Sequence, residues 1–325
     1  MKRILVTGGA GFIGSHAAML LKEGGYLPVV YDNLSTGHRN AVKWGPLEIG
    51  DLGDSERLLD VMIAYKPQAV FHFAAKCLVN ESMENPLDYY QQNVSETISL
   101  LKVMKKVGCH QMVFSSSCAT YGDANLDTIT EDLPQNPINP YGRSKLMVES
   151  ILKDAEKEFP LKSVSLRYFN AAGADPSSRI GEDHRPETHI IPVVLQCAFG
   201  STDIIHIFGD DYATKDGTCV RDFVHVVDIA RAHILALKWL ETGQNSEQFN
   251  LGLGEGYSIL DIIKVCENVT GKSIAYDVLT RRPGDPARLI ASAKKAKDKL
   301  GWQPERSELK IMVSDAWRWM QRKNG

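Results

Sequence analysis

The segment Arg3-Ile4-Leu5-Val6-Thr7-Gly8-Gly9-Ala10-Gly11-Phe12-Ile13-Gly14 decides the fold of this chain of 325 residues. Ile4–Val6 is a short apolar strand, and the helical pattern Phe12–Lys22 begins directly after the glycines. In such a unit three glycines permit a tight turn, close approach of the backbone to a pyrophosphate and close packing of helix on sheet, here Gly8, Gly11 and Gly14. The first N–H groups of the helix would face the phosphates, so the segment predicts a dinucleotide site.

An acidic residue, Asp32, ends the next predicted strand, about 20 residues beyond the glycine turn. Its carboxylate can accept a hydrogen bond from a ribose 2′-OH and would repel a 2′-phosphate. No arginine follows it directly, because the next residues are Asn33, Leu34 and Ser35. The sequence therefore predicts NAD rather than NADP as the cofactor.

Strand-like and helix-like segments alternate along the first half of the chain. The predicted strands are Leu27–Tyr31, Ala69–Phe73, Met112–Phe114 and Ser163–Phe169, and the predicted helices are Arg57–Tyr65, Pro86–Val107 and Pro140–Phe159. This alternation predicts an α/β fold with a Rossmann-type doubly wound parallel sheet. Ligands of such sheets bind at the carboxyl ends of the strands.

The pattern changes after Phe169. Asn170–Glu187 is rich in Gly, Pro, Ser and charge, which predicts a long loop. Shorter elements follow, so we expect an NAD-binding Rossmann domain over residues 1–175 and a smaller C-terminal α/β substrate domain over residues 176–325. The boundary is soft, and some later segments are expected to return to the first domain.

Composition and charge exclude several classes of protein. The chain is 43% hydrophobic and 24% charged, as soluble globular proteins are, and its net charge of -3 gives no sign of nucleic-acid binding. No apolar run approaches the ~20 residues of a membrane span, and the first residues do not resemble a signal peptide, so a cytoplasmic protein is expected. Six scattered cysteines without a C-x-x-C pair predict free thiols and no metal site.

A second group of residues supplies acid–base chemistry. Tyr141 and Lys145 lie four residues apart in a predicted helix, so they share one face. An ammonium beside a phenol favours the phenolate, which lowers the pKa of the phenol. Ser117 follows a predicted strand, and its hydroxyl can pass a proton between substrate and phenolate. The set predicts interconversion of an alcohol and a ketone, with the dinucleotide taking the hydride.

Further motifs narrow this prediction. Thr7–Gly14 together with Tyr141–Lys145 resembles the extended short-chain dehydrogenase/reductase family. The other matching segments are Tyr31-Asp32-Asn33-Leu34, Gly50-Asp51-Leu52, His72-Phe73-Ala74-Ala75, Phe114-Ser115-Ser116-Ser117, Arg167-Tyr168-Phe169-Asn170, Asp216-Gly217-Thr218, Val220-Arg221-Asp222 and Arg281-Arg282-Pro283-Gly284-Asp285. In this order, over the whole chain, they are similar to the UDP-sugar 4-epimerases that interconvert UDP-glucose and UDP-galactose.

The resemblance implies a mechanism in which NAD stays bound. Tyr141 takes the proton of the sugar 4-OH while hydride leaves C4, the 4-keto sugar turns within the site, and hydride returns to its other face. Lys145 keeps Tyr141 ionised and bonds the nicotinamide ribose, and Ser117 bonds the 4-oxygen.

The resemblance also implies the binding residues. The cofactor residues are Gly8, Gly11, Phe12, Ile13, Gly14, Asp32, Asn33, Leu34, Ser35, Thr36, Gly37, Asp51, Leu52, Phe73, Ala74, Ala75, Asn93, Ser115, Tyr141, Lys145 and Tyr168. The substrate residues are Ser117, Asn170, His189, Arg221, Arg282, Asp285 and Leu289. Among them the arginines are assigned to the diphosphate, because guanidinium forks suit phosphate oxygens.

The chain departs from the family pattern at three positions. Cys77 stands where some epimerases carry a lysine near the cofactor pyrophosphate, with Lys76 beside it, and His189 stands where some relatives have Asn. The resemblance also implies that Leu289 stands where side-chain size controls entry of an N-acetyl group in relatives, and because leucine is intermediate in size, acceptance of UDP-N-acetylglucosamine is open.

Alternative functions differ in what they require of the residues. Nucleotide-sugar dehydratases carry carboxylates just after the Ser/Thr, whereas Cys118-Ala119-Thr120 follows Ser117 here. Epimerases of UDP-xylose/UDP-arabinose, UDP-N-acetylhexosamine or UDP-glucuronate remain competitors, as does a non-catalytic NAD-binding regulatory protein. The resemblance further implies a homodimer formed by the helices Pro86–Val107 and Pro140–Phe159.

Overall fold

The computed structural model describes residues 1–123, 128–282 and 285–324. Numbered along the chain, its strands are β1 (Arg3–Thr7), β2 (Leu27–Asp32), β3 (Leu47–Ile49), β4 (Ala69–His72), β5 (Gln111–Ser115), β6 (Lys162–Arg167), β7 (Asn170–Ala172), β8 (Ile205–Phe208), β9 (Val220–Arg221), β10 (Phe223–His225), β11 (Glu247–Asn250), β12 (Tyr257–Ser258), β13 (Tyr276–Leu279) and β14 (Arg288–Leu289).

The α-helices cover these strands. They are α1 (Phe12–Glu23), α2 (Ser55–Tyr65), α3 (Val79–Glu84), α4 (Pro86–Tyr89), α5 (Glu96–Val107), α6 (Pro140–Glu158), α7 (Ile190–Phe199), α8 (Val226–Glu241), α9 (Ile259–Thr270) and α10 (Leu309–Asn324). The predicted helix Pro86–Val107 is α4 and α5 joined by a π-helical turn, Tyr90–Ser95. α6 begins where predicted, because the Asn139 side chain accepts from the Gly142 N–H and Pro140 needs no N–H partner.

A parallel sheet of seven strands, in the order β11-β6-β5-β4-β1-β2-β3, forms the centre of the fold. β1 lies between β2 and β4, with Leu5 opposite Val29 and Val70. Because each strand pair is parallel, the carboxyl ends of all seven strands meet at one edge. This architecture confirms the predicted doubly wound α/β fold.

Two apolar cores lie on opposite faces of the sheet. On one face, α1 and α8 pack against the strands through residues such as Leu21 and Ala236. On the other, α2, α5 and α6 contribute residues such as Met62, Met104 and Leu152. β1, β2, β4 and β5 are buried on both faces along most of their length, so they are largely apolar. β6 is equally buried but carries Ser163 and Ser165 between its apolar residues.

A further core forms between α7, α9 and α10, with β8 at its side. The short sheets beside it are β10–β7, β13–β8 and β12–β9–β14. β7 lies within the predicted loop Asn170–Glu187, so that prediction is wrong for Asn170–Ala172. These residues form a strand because β10, some 50 residues away, provides their partner, and no local pattern reveals such a pairing.

Segments from the second half of the chain also enter the central sheet. α8 packs on α1, and β11 adds the strand beyond β6. Trp302, which is fully buried, belongs to the same core and donates its indole N–H to the Asp228 carbonyl oxygen. Among the described residues no helix has the length and apolarity to cross a membrane.

The burial of β11 generates a stability prediction. Phe249 is 0% exposed and packs edge-to-face on Trp239. Phe249→Ala should lower the free energy of unfolding by about 3–5 kcal/mol, because it removes a buried ring and leaves a cavity. Urea denaturation at fixed NAD concentration measures this. Tyr276→Ala, at a side chain 45% exposed, is the matched control and should change the midpoint little. Equal effects of the two substitutions would contradict the placement of β11.

Candidate active site

The glycine turn joins the end of β1 to α1 in a space that admits no side chain. Gly8 has a φ of +71°, and a Cβ there would lie 2.6 Å from the Ala74 backbone nitrogen. A Cβ on Gly14 would lie 2.3 Å from the Gly8 carbonyl oxygen. Gly11 is the N-cap of α1 and has no side chain to accept the first N–H groups. The start of α1 therefore presents N–H groups to an anion such as pyrophosphate.

Asp32 ends β2 beside this turn. Its carboxylate accepts the Ala10 N–H at 2.9 Å and the Leu34 N–H at 2.8 Å. Burial raises the pKa of this carboxyl, and the two backbone N–H groups lower it. Each oxygen keeps lone-pair capacity, so the carboxylate can also accept from a ribose hydroxyl.

The end of β3 is tied to the loop after β2. Asn33 Nδ2 donates to Asp51 Oδ2 at 2.8 Å, and the Gly53 N–H donates to Asp51 Oδ1 at 2.8 Å. Leu52 is buried against the core, with its neighbour Asp51 exposed. Two further residues of the predicted cofactor set, Ser35 and Thr36, are exposed in this loop, and Gly37 packs against Ala10. The residues expected to hold the adenosine therefore lie in one group.

The loop after β4 forms the next wall. The Phe73 and Ala74 N–H groups both donate to the Thr7 carbonyl oxygen, which holds this loop against the glycine turn. Asn93, 2% exposed, lies behind the wall. Its amide bonds both backbone groups of Lys76 and donates to Ser144 Oγ on α6. Asn93 thus shapes the cleft through Lys76.

The side chain of Lys76 is engaged by acidic residues. Its ammonium donates to Glu81 Oε1 at 2.9 Å, and Asp88 lies 3.9 Å away. Its neighbour Cys77 is exposed. Glu81 on α3 and Asp88 on α4 thus hold the Lys76 ammonium. Among the described residues, no contact supports the idea that Lys76 replaces the lysine that some epimerases carry at the position of Cys77.

The acid–base residues meet at the end of β5. Lys145 Nζ donates to the Ser115 carbonyl oxygen at 2.8 Å. The same nitrogen lies 5.9 Å from the centroid of the Tyr141 ring. Ser115 Oγ is bonded to the Tyr168 hydroxyl at 2.5 Å. Lys145 is 3% exposed, so its ammonium lies inside the protein next to the phenol.

Ser117 lies two residues beyond Ser115 on the same segment. Its Oγ accepts the Ala119 N–H at 3.1 Å, and its side chain thereby caps a short helical turn, Cys118–Tyr121. The residue is 5% exposed and interacts with the phenol of Tyr141. The structure therefore brings Ser117, Tyr141 and Lys145 together at the carboxyl edge of the sheet.

Burial has the largest effect on the pKa values of Tyr141 and Lys145. Burial raises the pKa of the Tyr141 phenol well above its ordinary value, although hydrogen bonding to Ser117 lowers it. Burial also lowers the pKa of the Lys145 ammonium to about 8, while Cys77 and Glu149 raise it. The prediction that the pKa of Tyr141 falls is wrong for the chain alone, because desolvation of the phenolate outweighs its neighbours.

The predicted substrate residues form a second group beyond β6. Asn170 Nδ2 donates to the Asp222 carbonyl oxygen at 2.9 Å. Arg221 on β9 pairs with Asp285, and Leu289 lies opposite Arg221 on β14. The Pro283-Gly284 pair of the predicted diphosphate loop lies outside the described residues. Within the described part, four of the seven predicted residues surround one short sheet.

The other two predicted phosphate contacts, Arg282 and His189, do not belong to the strands of this sheet, although the Arg282 carbonyl oxygen accepts the Asp285 N–H at 3.3 Å. The Arg282 guanidinium stacks on the Phe208 ring at 3.8 Å. His189 is the N-cap of α7, and its Nδ1 lies 2.8 Å from Glu182 and 3.0 Å from Glu187. Although burial acts to lower it, the two carboxylates raise the pKa of His189 to about 11. The ring is therefore an imidazolium held by carboxylates.

His184 completes this cluster, in which one ligating atom from each of Glu182, His184, Glu187 and His189 lies within 4.8 Å of the others. Although burial acts to lower it, Glu182 and Glu187 raise the pKa of His184 to about 10. Two imidazolium and two carboxylate charges cancel, so the cluster is electrically balanced as it stands. The cluster contains no cysteine, so the cysteine pattern does not indicate it, and the spacing E-x-H-x-x-E-x-H is its only signal in the sequence.

Sequence reasoning also missed two buried acidic residues. Asp222, 2% exposed, accepts the N–H groups of Leu253 and Ala291, and burial raises its pKa to about 7. Glu149, 3% exposed, forms a buried ion pair with Arg167 directly behind Ser115–Ser117. Asp222 belongs to the segment Val220-Arg221-Asp222, which matches the family pattern. For the ion pair of Glu149 with Arg167, the only signal in the sequence is the position of Glu149 four residues after Lys145.

Cavity size does not locate this site. A groove of about 740 Å³ lies between the ends of α2 and α5, lined by Met62, Lys66, Lys106 and His110 among others. These residues lie at the amino ends of the strands, opposite the edge that carries Ser117 and Tyr141. The site is located instead by the polar side chains that meet at the carboxyl edge of the sheet.

The residues present fit NAD. The glycine turn leaves a cradle that a Cβ would fill, the start of α1 suits a pyrophosphate, and Asp32 suits an unphosphorylated ribose.

The glycine turn generates a prediction about NAD retention. Gly14→Ala should abolish or greatly weaken NAD retention, because a Cβ at 2.3 Å from the Gly8 oxygen forces the backbone apart. Cofactor content of the purified protein, read by its absorbance after denaturation, measures this. Gly24→Ala, at the other end of α1, meets its nearest atom at 3.2 Å and is the control. Full NAD content in the Gly14 variant would contradict the cradle.

Comparison with known proteins places this geometry in a family. The family model described as NAD dependent epimerase/dehydratase family matches residues 4–252. The UDP-glucose 4-epimerase of Halalkalibacterium halodurans is 48% identical over 316 residues, which is 97% of this chain and 95% of that protein.

Solved structures agree along the whole chain. The Brucella ovis UDP-glucose 4-epimerase in complex with NAD is 48% identical, with a TM-score of 0.96 over 98% of both chains. The Bifidobacterium longum UDP-glucose 4-epimerase in complex with NAD+ and UDP is 37% identical, with a TM-score of 0.94 over 99% of both chains. With its glycine turn, its seven-stranded sheet and these matches, the chain belongs to the NAD dependent epimerase/dehydratase family.

Proposed function

We propose that this protein interconverts UDP-glucose and UDP-galactose by transient oxidation at C4 of the sugar, using tightly bound NAD. The observation that carries the proposal is the convergence of Ser117, Tyr141 and Lys145 at the edge that also holds the glycine turn. Relatives along the whole length are UDP-glucose 4-epimerases, which supports the same reaction.

When bound, NAD supplies an oxidised nicotinamide that accepts hydride from C4, returns it, and by its positive charge favours a nearby phenolate. Tyr141 takes the proton of the 4-OH and gives it back to the same oxygen. Lys145, held by the Ser115 carbonyl, stabilises the phenolate, and Ser117 bonds the 4-oxygen. Lys145 is 3% and Ser117 5% exposed, and this shielding from water strengthens their interactions with the reacting oxygen.

The surroundings of Ser117 favour epimerisation over elimination. Cys118, Ala119 and Thr120 follow it, and none of them is a carboxylic acid able to protonate a leaving hydroxyl. Burial raises the pKa of the Cys118 thiol, so it too is a poor acid. The three positions directly after Ser117 therefore supply no acid for loss of water from the keto sugar.

The nucleotide end of the substrate is proposed to lie along β9 and β14. Arg221, which is mostly buried and paired with Asp285, is the candidate for the diphosphate. Arg282 and His189 are proposed as further cationic contacts, Asp285 as a ribose contact and Asn170 as a contact to the phosphates or sugar. UDP-xylose/UDP-arabinose, UDP-N-acetylhexosamine and UDP-glucuronate are the competing substrates.

A homodimer is proposed through the helices Pro86–Val107, which contains α4 and α5, and Pro140–Phe159, which is α6, together with the adjoining helix α3. Val79, Met83, Leu87 and Met147 leave 41–78% of their area exposed there. Apolar side chains grouped in this way favour burial against a second copy. We further propose the division into residues 1–175 for NAD and 176–325 for the UDP-sugar, with α8 and β11 returning to the first domain. A cytoplasmic location is also proposed, with which the free cysteines agree.

The decisive experiment is incubation of purified protein with each candidate UDP-sugar without added NAD. We expect UDP-galactose to give UDP-glucose. No turnover of any UDP-sugar by protein that retains NAD would favour the non-catalytic alternative.

The mechanism predicts the behaviour of Tyr141→Phe. The variant should retain NAD and lose epimerisation by a factor of at least ~10³, because it lacks the group that moves the proton. Tyr26→Phe, directly before the amino end of β2, where the phenol bonds Glu241, is the control and should stay active. Turnover by Tyr141→Phe comparable to that of the parent protein would contradict the mechanism.

The position of Leu289 generates a prediction about substrate specificity. It is half-buried and packs with the cluster around Tyr121 and Ala291. Leu289→Ser should raise the ratio of activity on UDP-N-acetylglucosamine to activity on UDP-glucose, because it makes room beside the sugar. Comparison of kcat/KM for the two substrates measures the ratio, and an unchanged ratio would refute the assignment.

A further inference from the structure

Glu149 lies on α6 directly behind the catalytic residues. It follows Lys145 by four residues and Tyr141 by eight, so all three share one face of the helix. Its carboxylate is 3% exposed and accepts from three neighbours. They are Ser116 Oγ at 2.5 Å, the Arg167 guanidinium at 2.9 and 2.5 Å, and Gln135 Nε2 at 3.3 Å.

Ser116 connects this carboxylate to the reacting groups. Its neighbours in the chain are Ser115, whose carbonyl oxygen accepts from Lys145 Nζ, and Ser117. The Ser116 N–H donates to the Leu166 carbonyl oxygen at 2.9 Å, so the hydroxyl is its link to α6. A shift of Ser116 would therefore move the Lys145 acceptor and the Ser117 hydroxyl together.

Arg167 extends the link to other strands. It ends β6, donates to the Tyr121 hydroxyl at 2.6 Å, and Tyr121 donates in turn to Asn250 at the end of β11. Buried ion pairs cost much desolvation and add little net stability compared with an apolar pair. Their fixed, bidentate geometry instead determines the relative position of the elements they join.

We propose that Glu149 is a positioning residue of the proposed reaction, whose carboxylate ties the Ser115–Ser117 segment to the helix that carries Tyr141 and Lys145. The inference rests on the proposed function. Glu149 itself is not proposed to contact substrate or cofactor. Glu149 acts through its hydrogen bond with Ser116 and through its negative charge.

The charge of Glu149 also acts on Lys145. The titratable groups around the ammonium are Tyr141 and Glu149 on the same helix, His72 on β4 and Cys77 after it. Burial lowers the pKa of Lys145, and Glu149 raises it. Removal of that negative charge should lower the pKa of Lys145 further, so the ammonium is lost at a lower pH than in the parent protein.

Two variants separate position from charge. Ser116→Ala removes the hydroxyl and keeps the ion pair, so kcat should fall about tenfold through misplacement, with unchanged KM and an unchanged alkaline limb of the pH profile. Glu149→Gln should lower kcat and move the alkaline limb to lower pH. Glu158→Gln, an exposed position on the same helix, is the control and should do neither.

Direct titration of Lys145 gives a readout that needs no turnover. In protein labelled with ¹³C-lysine, assigned with Lys145→Met, the NMR-detected pKa of Lys145 should be lower in Glu149→Gln and unchanged in Ser116→Ala. Unchanged titration in Glu149→Gln, or parental kcat in Ser116→Ala, would overturn the inference. If the parent protein epimerises no UDP-sugar, the proposed function fails, while the titration still decides the role of Glu149.

Discussion

The parallel arrangement of β1 between β2 and β4 is the constraint on which the rest of the structure depends. It brings the ends of β1, β2, β4 and β5 to one edge, where each contributes a different part of the site. The glycine turn, Asp32, the Phe73–Ala75 wall and Ser115–Ser117 are neighbours only because these strands run the same way. The first turns of α6 lie at this edge and add Tyr141 and Lys145, which the bond from Lys145 to the Ser115 carbonyl oxygen holds in place.

Much of this was predictable because the decisive signals are local. A glycine turn between strand and helix, an acidic residue at the end of the next strand, and a Tyr and Lys one helical turn apart each need only a few neighbouring residues. The strand–helix alternation gave the doubly wound sheet for the same reason. The start of α6 at Pro140 follows from its capping residue, Asn139.

What escaped prediction depends on residues distant in sequence. β7 is a strand because β10 pairs with it, and Asn93 acts on Lys76 through the fold. The pairing of Glu149 with Arg167 needs α6 and β6 to be adjacent. The direction of the pKa shift of Tyr141 was also not predictable, because its spacing from Lys145 indicates a nearby ammonium but not how deeply the phenol is buried. The assignment of each binding residue to cofactor or substrate stays a prediction.

The central claim is that hydride leaves C4 of the sugar and returns to the same carbon without reaching water. Turnover of UDP-galactose deuterated at C4, in ordinary water, tests this most directly. The account predicts UDP-glucose that keeps deuterium at C4. Product in which that deuterium has been replaced by solvent hydrogen would contradict it, because the inverted hydrogen would then have moved as a proton.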